Sequence, residues 1–102
     1  MQEVKTALGR WIPSHEVQTV LEDNILRVLF DYRMNPQNPN NVPMKISEIA
    51  RAVSTEEKLV VAALEALKMD QNVEEKEEFQ QERTFGISGY GIRFVRNIPD
   101  AS

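Results

Sequence analysis

The sequence predicts a small, mainly α domain that carries a small antiparallel β-hairpin near its C-terminal end. Three observations predict it. Apolar residues recur at helical spacing from Val17 to Tyr32 and again from Ile49 to Leu67. Two short helical segments follow one another with only a few residues between them, the spacing of a helix-turn-helix. Beyond Asp70 the apolar period falls from about 3.6 to about 2, the period of a strand.

The chain has 102 residues, 41% hydrophobic and 27% charged, which suits one domain with its own core. Residues 1–13 form a lead-in, 14–98 the main domain and 99–102 a short tail. In the lead-in, Val4, Leu8 and Trp11 or Ile12 have the spacing of one or two helical turns, which Gly9 weakens. Trp11, the single tryptophan, is read as part of the core. The alternative is that the lead-in and the last helix pack against a second copy, giving a homodimer.

Ser14 is placed to cap a long helix. Val17, Val20, Leu21, Ile25, Val28, Leu29 and Tyr32 form its stripe, and Leu26 and Phe30 widen it, so the sequence predicts burial over much of the circumference. The helix stops at Asn35-Pro36, because a proline disfavours helical geometry in the residue before it. Residues 35–43 hold three prolines and four asparagines, an irregular surface loop. Met44-Lys45-Ile46 suits a brief extended stretch. Ser47 is the expected cap of a helix from Glu48 to Val53 with Ile49, Ala50 and Val53 inward. Ser54, with Glu57 three residues on, reads as the capping box of the next helix. That helix runs to about Met69 and buries Leu59 or Val60, then Ala63, Leu64 and Leu67. Val73 to Glu78 and Arg83 to Ile87 read as the two strands of a hairpin, with 79–82 near its tip. Ser88 is the expected cap of a last helix from Gly89 to about Asn97, which Pro99 ends.

In this order the chain resembles the winged helix-turn-helix superfamily over residues 15–98. The residues that carry the resemblance are the run from Ile46 to Ser54, then Val60, Leu64 and Leu67, then Val73 opening the wing. The stretch Phe85-Gly86-Ile87-Ser88-Gly89-Tyr90-Gly91-Ile92-Arg93-Phe94 is similar to the end of many small prokaryotic regulators. There a wing strand passes through a Ser or Thr cap into a helix whose early glycine allows close packing. This chain departs from the pattern twice: no glycine lies in the central turn, and Asp70-Gln71-Asn72 stands where glycine is common. Asn72 is the residue expected to take the left-handed conformation there.

The resemblance implies a double-stranded DNA-binding regulator, with residues 55–68 in the major groove and the wing along a phosphate backbone. Its candidate contacts are Lys45, Arg51, Thr55, Lys58, Val61, Lys68, Lys76 and Arg83; Arg93 and Arg96 would join them only if the fold gathers them near Lys58. The charges oppose this reading. Net charge is −4, whereas affinity for nucleic acid comes mainly from lysine and arginine replacing counterions. In the groove helix Glu56, Glu57 and Glu65 outnumber Lys58 and Lys68. In the wing Glu74, Glu75, Glu77, Glu78 and Glu82 face only Lys76 and Arg83. The alternative is therefore an interaction module that docks a basic protein through its acidic helix and wing. A basic stripe on the groove helix would favour DNA, and an apolar or acidic patch there would favour a protein partner.

Other chemistry is poorly served. There is no cysteine, hence no disulfide, thiolate metal site or thiol nucleophile. His15 is the single histidine; it stands at a helix start beside Ser14 and Glu16, where adjacent residues point in different directions, so a surface or capping role is expected. Gly86, Gly89 and Gly91 lack the lysine and the nucleotide-fold context of a phosphate loop. No enzyme, cofactor or metal is expected. The N-terminus lacks the pattern of a signal peptide and no apolar run is long enough to span a bilayer, so no membrane partner and a cytoplasmic location are expected.

Overall fold

From residue 17 onward the elements follow the predicted order, and the N-terminal segment does not. The computed structural model describes residues 2–13, 15–38, 42–79 and 82–97, with Glu77, Glu78 and Phe79 described by their backbone only. The expected Ser14 cap, residues 80–81 of the hairpin tip and the stop at Pro99 lie outside the described residues.

The lead-in is a β-hairpin, β1 (Glu3–Lys5) and β2 (Trp11–Pro13), with Val4 opposite Ile12 and Lys5 opposite Trp11. Gly9 decides against the predicted helical turns: it adopts φ 85°, a conformation that glycine takes at little cost and that ends a right-handed helix. The turn is closed by the Thr6 N–H donating to the Arg10 carbonyl at 2.8 Å and the Gly9 N–H to the Thr6 carbonyl at 2.9 Å. Strand alternation then buries Ile12 and leaves Trp11 54% exposed, so Trp11 is not a core residue.

Helix α1 (Val17–Met34) buries Ile25, Leu26 and Leu29, while Val17 is exposed. Leu21, Val28, Phe30 and Tyr32 are only partly buried against the core, so the buried face is narrower than predicted. Asn35 ends the helix in an extended conformation, as Pro36 requires. Beyond the helix, buried Asn38 ties residue 42 to the end of α1: its Oδ1 accepts from the Val42 N–H at 2.9 Å and its Nδ2 donates to the Tyr32 carbonyl at 3.2 Å.

Next come β3 (Met44–Lys45), α2 (Ile46–Val53), α3 (Glu57–Met69), β4 (Val73–Phe79), β5 (Glu82–Ile87) and α4 (Gly89–Asn97). The sheet is antiparallel in the order β3-β5-β4, with Met44 opposite Phe85 and Val73 opposite Ile87. Phe85, Ile25, Leu26, Ile49, Val60, Leu64 and Leu67 are the most deeply buried side chains of the core, each contributing about 1.5–3 kcal/mol through burial. Val60, not Leu59, is the inward residue of α3.

Three of the expected local signals are resolved differently. Ser47 does not cap α2, which begins one residue earlier at Ile46. The Glu48 carboxylate accepts from the Lys45 N–H at 2.9 Å, and the Ser47 hydroxyl donates to Glu82 at 2.9 Å. Ser54 does not start α3. It ends α2 in the left-handed region, φ 53°, with the Thr55 N–H donating to the Ala50 carbonyl at 3.0 Å, so satisfying an end carbonyl of α2 takes precedence over an N-cap. Glu56 then occupies the N-cap of α3 without a side-chain cap. After α3 it is Gln71, φ 64°, that turns left-handed, and not Asn72. The backbone of Asn72 is instead engaged, its N–H donating to the Leu67 carbonyl at 2.9 Å and its carbonyl accepting from the Ser88 N–H at 3.1 Å.

The start of α4 agrees with the sequence reading. The Ser88 hydroxyl accepts from the Gly91 N–H at 2.9 Å and donates to the Gln71 carbonyl at 2.5 Å. Gly91 lies so close to its surroundings that an added Cβ would stand 2.1 Å from the Asn72 carbonyl oxygen.

Candidate nucleic-acid interface

Helices α2 and α3 form the helix-turn-helix, and α3 presents its outer face because Val60, Ala63, Leu64 and Leu67 hold its opposite face in the core. That outer face carries Lys58 near its start, the half-exposed Glu65 further along, and apolar residues: Leu59 is 49% exposed, Ala62 is exposed and Met69 is 84% exposed. No basic stripe runs along it.

The expected DNA-facing residues fall into two groups. Arg51, in the last turn of α2, and Lys58, in the first turn of α3, flank the central turn, are exposed, and have no carboxylate partner among the described residues. Thr55 lies between them, half-buried, with its hydroxyl donating to the Val53 carbonyl at 3.0 Å. Val61 is half-buried against the core.

The second group is held by glutamates. On the inward face of the wing, Phe85 fills the core opposite Glu75, and two residues further out Arg83 continues that face. Arg83 Nε donates to Glu75 Oε2 at 2.8 Å and Nη2 to Oε1 at 3.0 Å, while Nη2 also reaches Glu65 on α3. Lys68 Nζ donates to Glu75 Oε1 at 2.8 Å. Hydrogen bonds from Arg83, then Lys68, pull the Glu75 carboxyl down to about 2, and the two glutamates raise the pKa of Arg83 further. On the outward face Lys76 pairs with Glu74 at 2.8 Å, and Lys45 lies 3.8 Å from Glu82.

Arg93 and Arg96 do not join Lys58. Arg93 lies over the ring of Tyr90 on its own helix, and Arg96 packs on Phe30 and Met34 of α1. The sequence reading missed the clamp between Arg83, Glu65, Glu75 and Lys68. Its signal was available in part: Arg83 and Glu75 are diagonal neighbours across the hairpin, and Glu65 and Lys68 are three apart on α3. Among the described residues no group of three or more acidic or histidine side chains could hold a metal ion, and no helix is long and apolar enough to cross a membrane.

The arrangement is a winged helix-turn-helix. Among solved structures it is similar to MepR of Staphylococcus aureus in complex with DNA, with TM-score 0.62 and 17% identity over 74% of this chain and 57% of that one. It is similar too to MepR described as a transcription regulator of the multidrug efflux pump MepA, with TM-score 0.56 and 19% identity over 81% of this chain and 65% of that one. A third is a candidate DNA-binding protein of Ralstonia eutropha, with TM-score 0.62 and 14% identity over 74% of this chain and 88% of that one. The matches cover between 51% and 66% of the MepR chains, so this chain spans about half to two thirds of their length. At these identities the likeness is one of fold. No protein-family model matches the sequence, and no curated protein is significantly similar to it.

Proposed function

We propose that this chain is a non-catalytic, DNA-binding winged-helix regulator that approaches duplex DNA with the turn between α2 and α3. The observation that carries this reading is the pair Arg51 and Lys58, exposed and free of carboxylates among the described residues, on the two helices of a fold shared with a protein solved on DNA. Two cations in that position suit phosphate contact, with Thr55 and the first turn of α3 turned toward the groove. Assembly as a twofold dimer belongs to the same reading. It would bring two small basic sites onto one duplex, and Trp11 and Val17 offer exposed apolar surface for it. A cytoplasmic location follows from the same role. Binding to mixed-sequence duplex DNA, followed by fluorescence anisotropy from low to physiological salt, tests the proposal: affinity should fall steeply with salt, and absence of binding at low salt would overturn it.

A second reading has its own observation. Leu59, Ala62 and Met69 add exposed apolar surface to the outer face of α3 beside Lys58, which favours a protein partner on that face. Absence of DNA binding even at low salt would favour it.

A further inference from the structure

We propose that the described strands of the wing are a splint for α3 and that their cations make no phosphate contact, so that phosphate binding falls to Arg51 and Lys58. The proposal rests on the DNA-binding reading above and says which surface performs it. The wing sequence from Val73 to Ile87 contains two cations, Lys76 and Arg83. Both have carboxylate partners: Lys76 pairs with Glu74 at the surface, and Arg83 makes a two-point contact with Glu75 and a further one with Glu65.

Arg83 is the better held. A guanidinium gripping a carboxylate through two hydrogen bonds has little freedom left, and this one also lies 5.3 Å over the ring of Phe85. To reach a phosphate it would have to leave Glu75 and Glu65, exposing two carboxylates to the same DNA backbone. Lys68 is tied to the same Glu75. What the clamp does instead is join β4, β5 and the C-terminal half of α3 into one unit, which fixes the direction of the helix. Glu74 and Glu82 then stand where a phosphate-binding wing needs cations. A cation that stays with its glutamate neutralises no phosphate and displaces no counterion from the DNA, whereas Arg51 and Lys58 would each displace about one.

Three variants test this on mixed-sequence duplex DNA, each compared with the unmodified chain for its affinity and for the slope of log affinity against log salt. R51A/K58A should weaken binding at low salt at least tenfold and flatten the slope by about 0.9 for each phosphate that is no longer neutralised. K76A should leave affinity within about twofold and the slope unchanged. R83Q should lower the melting temperature and, while folded, also keep the slope. A slope flattened by K76A or by folded R83Q, or unaltered in R51A/K58A, overturns the proposal. If R83Q does not fold, K76A decides, since the Lys76 ammonium pairs with Glu74 at the surface. Failure of the unmodified chain to bind at low salt is a different result: it removes the DNA reading itself.

Discussion

Arg83 lies across Glu75 with two hydrogen bonds, 2.8 and 3.0 Å long, and the same guanidinium reaches Glu65 on α3. This joins hairpin to helix where the apolar core has run out. Partial exposure limits its worth, so E75Q should destabilise the domain by about 1 kcal/mol. Its pH dependence has a definite sign. The Glu75 carboxyl is depressed from 4.5 to about 2 in the folded chain, so its contribution is complete above about 4.5 and is lost as the pH falls toward about 2. Urea unfolding of E75Q and the unmodified chain across that range should show their difference shrinking with acid; a constant difference would mean that the charge of Glu75 is not what matters.

Gly91 and Gly89 predict opposite outcomes although they stand two residues apart. An added Cβ at Gly91 would collide with the Asn72 carbonyl oxygen at 2.1 Å and with Ile87 Cγ1 at 2.6 Å, whereas at Gly89 nothing lies within 4 Å. One obstacle is backbone that is itself hydrogen-bonded to Ser88, so the site cannot yield cheaply. G91A should cost about 3 kcal/mol, and G89A should change stability by less than about 1 kcal/mol. Equal losses in denaturant titrations would contradict the packing account.

Ser54 holds φ 53° at the end of α2 without glycine's freedom. Gln71, at φ 64°, does the same after α3. S54G should therefore stabilise the domain by about 0.5–1 kcal/mol, because glycine adopts that conformation without the clash of a Cβ. A loss of stability on thermal unfolding would mean that the serine side chain supports the turn in a way its backbone angle does not express.

These two residues also mark where the sequence stops being legible. Ser54 followed by Glu57 carries the capping-box pattern, and only the end of α2, whose last carbonyls need donors, converts the serine into a C-cap. Asn72 tolerates the left-handed region better than glutamine, yet its N–H and carbonyl are committed to Leu67 and Ser88, which moves the strained position back to Gln71. By contrast, the Val60-Ala63-Leu64-Leu67 face of α3 and the Ser88 cap of α4 were readable, because periodicity and capping there face no competitor. The candidate interface was readable only as a set of cations. That Lys45, Lys68, Lys76 and Arg83 are paired while Arg51 and Lys58 are not, among the described residues, depends on strand register and on which face of α3 meets the wing. A local pattern contains neither.

Asp23 supplies the last prediction. It is 3% exposed beneath the N-terminal hairpin, its Oδ1 accepts from Arg10 Nη1 at 3.2 Å, and its Oδ2 has no hydrogen-bond partner among the described residues. Burial raises its pKa above 3.8, against the Thr6 hydroxyl and the Arg10 guanidinium, which pull it down. Nearby Glu22 is raised too, first by burial and then by Asp70, with Asp23 adding to it. A carboxyl raised on folding favours the folded chain in its protonated form: that contribution is present below 3.8 and is lost as the pH rises through the folded value. At neutral pH the ionised group is thus a burden on hairpin docking. D23N keeps an oxygen for Arg10 and removes the buried charge, so its melting temperature at pH 7 should exceed that of the unmodified chain. The gap should close in acid, where Asp23 is protonated and resembles the amide. A D23N variant less stable at pH 7 would show that the Arg10 ion pair outweighs the burial of the charge.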